Sequence, residues 1–176
     1  MTRKEMSEIF AVMLLAYPNA EAFKGGIQKL GPTIELWTTC LHDVDFWTGQ
    51  QAVVKLCNEC KYPPTIAEFR EKTNKVNSEI KERLHLAWNE IRMSRMCDRS
   101  NQEIYDELHP ESLARRAIDM IGGPGALTIP MSGGGERWNH EAWEAAAMQL
   151  IRQSNALAGA SRPAIGGPKQ IGGMQK

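Results

Sequence analysis

The sequence has no surplus of either charge: 21 Lys and Arg residues balance 21 Asp and Glu. A dedicated nucleic-acid binder needs a basic excess to neutralise phosphates, so direct nucleic-acid binding is expected to be weak or absent. No apolar run approaches the roughly 20 residues of a membrane span, and no membrane partner is expected. The first residues, MTRKEMSEIF, carry acidic side chains and no small-residue cleavage site, so they read as a helix start rather than a secretory signal. With only four cysteines and no export signal, the thiols should stay reduced in a cytosol. Sustained period-two alternation of β-branched residues is missing, which leaves room for trivial strands at most.

Catalytic signatures are missing as well. The glycine-rich segment Gly122–Gly135 contains no lysine and follows no strand, so it is no phosphate-binding P-loop. His42, His85, His109 and His140 are scattered, and no Ser/His/Asp or Cys/His constellation follows from their spacing. Neither an enzymatic site nor a cofactor is expected.

What is present is helical periodicity. Thr2 to Glu5 spells a capping box, followed by Met6, Ile9, Phe10, Met13, Leu14 and Tyr17 at helical spacing, with Pro18-Asn19 as the stop. Gly31-Pro32 opens a second helix through Ile34, Trp37 and Leu41, and a third runs from about Asp45 to Cys60. Thr65 and Glu68 form another box at the head of a short helix, and a longer pattern from Asn77 to about Met96 follows. That pattern has Ile80, Leu84, Ala87, Trp88 and Ile91 on one stripe, with Leu86 and Met93 off it. The fold class is all-α: a compact N-terminal helical bundle over residues 1–100 and a linking helix over 101–121. A flexible glycine-rich connector over 122–137, a partner-binding helix over 138–157 and a disordered tail over 158–176 complete it. The tail is rich in glycine and proline and has no acidic residue, a composition that buries too little apolar surface to offset chain entropy.

Two clusters invite a chemical reading. Cys57 and Cys60, spaced as metal ligands, align with Phe46 and Val53 on a helix, which makes them small apolar residues of a core. The alternative is a zinc-stabilised helical adaptor that adds Cys40 and His42 to reach four ligands. Trp138 and Trp143 sit on a helix otherwise rich in alanine, after the connector. They either pack back on the helical domain or, together with Met148, Leu150 and Ile151, anchor a partner.

The order of residues adds a resemblance. Ala16-Tyr17-Pro18-Asn19, then Glu35-Leu36-Trp37 and Leu41-His42-Asp43-Val44-Asp45-Phe46, then Lys61-Tyr62-Pro63-Pro64-Thr65-Ile66-Ala67-Glu68-Phe69, resemble the phage family of replicative-helicase loaders and inhibitors over roughly residues 1–95. The resemblance implies a compact helical N-terminal half and a C-terminal part that orders on meeting a hexameric DnaB-type helicase. It implies suppression of ATP hydrolysis and unwinding, and delivery of the ring to an origin through a phage initiator, in the bacterial host cytosol. Tyr17, Pro18, Trp37, Tyr62, Pro63, Pro64, Thr65 and Glu68 are expected to locate the fold rather than a site, because Pro64 forces an extended corner and Thr65 restarts a helix. An origin- or single-strand-DNA-binding replication protein is the alternative from another class.

Overall fold

The computed structural model describes residues 1–95, 99–134 and 136–160, the side chains of Arg95 and of residues 155–160 excepted. The tail expected to be disordered lies, from Ser161 on, outside the described residues. Seven α-helices and a two-stranded sheet make up the described residues, in agreement with the all-α reading. The chain divides into two compact units, Met1–His85 and Leu86–Lys176.

In the first unit, α1 (Arg3–Ala16) starts at the expected box: Glu5 N–H donates to the Thr2 hydroxyl and Thr2 N–H to the Glu5 carboxylate. Two 3-10 turns follow, then α2 (Gly31–Cys40) with Pro32 in its first turn, and α3 (Phe46–Glu59), capped by Asp45. Met6, Ile9, Phe10 and Met13 turn inward from α1 and meet Ile34 and Trp37 of α2 and Val53 and Leu56 of α3 in one core. An aromatic chain runs through it. Trp37 meets Phe10 edge-on at 5.2 Å and Phe69 at 5.5 Å, arrangements that place ring edges against ring faces.

The two helices expected after Thr65 are one helix, α4 (Ile66–Arg95), 30 residues long. No proline or glycine interrupts it, and the buried row Phe69, Thr73, Val76, Ile80, Leu84, Ala87, Ile91 advances by threes and fours throughout. Thr73 interrupts the apolar pattern of the sequence but not the packing. Its hydroxyl donates to the Arg70 carbonyl and its methyl fills the interior.

The second unit contains the end of α4, then α5 (Asn101–Glu107) and α6 (Leu113–Met120). A Ser100–Glu103 capping box starts α5, a helix that periodicity alone does not reveal. Helix α6 ends in paired turns, Gly123 N–H to the Ile118 carbonyl and Gly122 N–H to that of Asp119, with Gly122 at φ 111. That geometry needs a residue without Cβ at Gly122. The segment expected as a flexible glycine-rich connector continues as a 3-10 turn, Pro124–Leu127, and an antiparallel pair, β1 (Thr128–Pro130) with β2 (Glu136–Trp138), which places Trp138 at the end of a strand and not on the helix expected from 138. Leu127 is fully buried, and Asn139 bonds the carbonyls of Leu127 and Ala126. These ties fix the start of α7 (His140–Ala160), which packs on α6.

Candidate functional site

The Cys57–Cys60 spacing belongs to the last turn of α3, and both thiols are half-buried against the first unit's core with Cys40. The neighbouring group is Tyr17, whose hydroxyl donates to the carbonyls of Leu56 at 3.3 Å and Cys60 at 3.2 Å. Burial, with Cys57 beside it, pushes the Tyr17 phenol up to about 12, and burial likewise pushes the Cys57 thiol up. A raised thiol is a poor nucleophile and a poor metal ligand. His42 is exposed at the end of α2, with Nδ1 facing the Thr39 carbonyl at 3.1 Å. Among the described residues no group of three or more His, Cys, Asp or Glu side chains could hold a metal ion.

The elements that carried the family resemblance divide by what they touch. Tyr17 ties α1 to the end of α3, and Trp37 sits at the centre of the core. Pro63 and Pro64 close over a small cavity of about 240 Å³ that also has Phe10, Met13 and Trp37 in its wall. Thr65 caps α4: Glu68 N–H donates to its hydroxyl, and its own N–H and hydroxyl donate to the Glu68 carboxylate. Those bonds hold the Glu68 carboxyl below the usual range. Arg70 grips both carboxylate oxygens of Asp43 at 2.9 Å and also reaches the Cys40 carbonyl, fixing the turn between α2 and α3. Tyr62 differs from all of these. The residue is 71 % exposed, with the Lys61 ammonium 5.7 Å from the centre of its ring.

Tyr62 borders a cleft of about 580 Å³ whose other wall is Ala16 to Ala22. Ala16 joins this cleft to the outward face of α1, where Ala11, Val12 and Leu15 are exposed, Leu15 by 79 %. Sequence reasoning missed this surface. Its signal was the absence of any charged residue between Glu8 and Glu21, which leaves α1 apolar all round over its second half.

In the second unit the expected partner-binding residues take a different place. Trp143 is fully buried, as is Ile151, and Leu150 is buried too; Trp138 and Met148 are half-buried. The indole N–H of Trp143 donates to the Ala114 carbonyl at 3.3 Å. Trp88 gathers the remaining rings, with Trp138 at 5.3 Å, Trp143 at 4.9 Å and His140 at 4.5 Å between centroids. Of the two readings of this helix, the geometry is that of packing within a helical unit. Anchors already used as core are not displayed to a partner. Among the described residues, the exposed large apolar side chains of this unit are Leu86, Met93, Met120 and Met131, two of them the off-stripe residues of α4.

Residues 1–70 match the family model of the N-terminal domain of the phage gene 39 protein. That domain is the N-terminal part of a helicase loader/inhibitor, so the match over this span is in line with the resemblance read from the sequence. No curated protein and no solved structure matches the chain. No helix among the described residues is long and apolar enough to cross a membrane.

Proposed function

We propose, from the match of residues 1–70 to the N-terminal domain of a phage helicase loader/inhibitor, that this protein is a DNA-replication accessory factor that binds the replicative hexameric helicase. In this reading it is not an enzyme. It holds a DnaB-type ring inactive in ATP hydrolysis and unwinding, and loads it at an origin through an initiator. The match over residues 1–70 carries the proposal. Zero net charge supports contact with proteins rather than phosphates.

The helicase contact is assigned to the second unit. Trp138 and Met148 are half-buried and still accessible, and Leu86 and Met93, seven residues apart on α4, present apolar surface on one helical face. Trp143, Leu150 and Ile151, buried in the same unit, serve its packing rather than the contact. Co-purification of the full chain with the host or phage replicative helicase, with and without ATP, tests the reading, together with ATPase assays. Inhibition by the full chain, lost on Leu86→Asp with Met93→Asp, is the expected result. Equal helicase affinity of the full chain and a 1–85 fragment would remove the contact from the second unit.

A further inference from the structure

The cleft between Ala16–Ala22 and Lys61–Pro63 is left unexplained by folding, and its composition states what it would accept. Tyr17, Pro18 and Pro63 give an apolar floor, and Tyr62 stands over its edge. Every other residue of the Tyr-Pro-Pro-Thr element serves the fold, since Pro63 and Pro64 close a cavity and Thr65 caps α4. Tyr62 buries little and makes no bond that positions a helix. A large, stiff aromatic ring left in solvent beside a concave surface is the type of residue that anchors protein interfaces.

Charge decides the occupant. Of the charged residues in the cleft wall, Glu21 is already paired with Lys24 at 3.2 Å, whereas Lys61 has no ion pair among the described residues and lies only over the Tyr62 ring. The cleft therefore offers a largely apolar lining, with Asn19 beside it and, among the described residues, one cation without an ion pair at the rim. A phosphate-bearing polymer would find one lysine and the Asn19 amide beside the Glu21 carboxylate, too little positive charge to grip a phosphate chain. A polyproline segment needs a groove between aromatic walls, and here the Tyr17 ring is buried while Tyr62 alone is exposed. At about 580 Å³ the cleft is of the size that takes a few side chains of a ligand.

We propose that this cleft, extended over Ala16 onto Val12 and Leu15 of α1, is a second docking site, for an apolar protein segment that carries a carboxylate. The segment sets its apolar side chains between Pro18 and Tyr62 and along α1, and its carboxylate on Lys61. The site lies wholly in the first unit and is separate from the helicase contact assigned above, so the chain has a surface for a further protein.

The test is an NMR titration of the isotope-labelled full chain with two synthetic peptides. One alternates Leu and Phe with Asp, and the other has Lys in place of each Asp. The expected result is perturbation of the amides of residues 16–22 and 61–62 by the acidic peptide and none by the basic one. Tyr62→Ala should weaken the acidic peptide about 10-fold or more and Lys61→Glu about 5-fold. Both side chains are exposed, so melting should not change. Equal response to both peptides, no response, a response confined to the second unit, or wild-type affinity in Tyr62→Ala would each overturn the proposal. The peptides contain no helicase sequence, so failure here leaves the helicase assignment standing, and failure of that assignment leaves this one standing.

Discussion

Trp143 donates its indole N–H to the carbonyl of Ala114, across the seam of α6 and α7, from a position with no solvent exposure. The largest side chain of α7 thus also closes a polar contact that burial would otherwise leave open. Trp143→Ala removes the ring and leaves a cavity in the second unit, which should cost about 3–5 kcal/mol. Hydrogen exchange should show protection lost in α6 and α7 while α1 to α3 stay protected. Unchanged protection of α6 would contradict the packing described.

Tyr17→Phe deletes one hydroxyl and two hydrogen bonds to the end of α3, at an expected cost of about 1 kcal/mol. The raised phenol gives a second readout. Folding favours its neutral form, so its contribution is complete below the ordinary value of 10.0 and is lost as pH rises toward about 12. Ultraviolet titration of the folded wild type should show one tyrosine ionising late, absent in the variant.

Asp43 titrates in the opposite sense. Hydrogen bonds from Arg70 hold its carboxyl at about 2, down from 3.8. The folded chain binds fewer protons here than the unfolded one, so the pair stabilises above 3.8 and fades as pH falls toward 2. Asp43→Asn should flatten that part of the acid-unfolding curve and leave stability at pH 7 only slightly lower, because the pair is largely exposed.

Thr65→Ala leaves the first turn of α4 without its side-chain acceptor and takes from the Glu68 carboxylate the hydroxyl that donates to it. The expected loss is about 1 kcal/mol in thermal unfolding of the first unit. Thr65→Ser should recover most of it, since the hydroxyl alone does the capping.

The helices of the first unit are legible in the sequence because α1, α3 and α4 begin with a side-chain cap and α2 with a proline, and each buries a simple stripe, as Met6 to Met13 do. The join at Thr73 is hidden by a polar residue that packs through its methyl group. The hairpin is hidden because three-residue strands give no period to count. For α7 the alanines mislead: they read as too small to hold a core, yet Ala114 and Ala117 on α6 and Ala146 and Ala147 on α7 are all buried. Small residues let two helices approach closely, and the close approach encloses Trp143. Tyr62 reads as part of a structural corner because sequence order does not reveal which side chain of a motif points outward. The sequence around Lys61 gives its charge but not that, among the described residues, it lies over the Tyr62 ring without an ion pair.

The meeting of Trp88 with Trp138 and Trp143 gives the second unit an optical signature of its own. Indoles held this close share their excited states, so the far-ultraviolet dichroism should carry an exciton couplet superimposed on the helical bands. In the first unit Trp37 meets the rings of Phe10 and Phe69. A light signal is therefore built into the second unit. Its collapse would report loosening of that unit while the helix bands stay level, with no label attached.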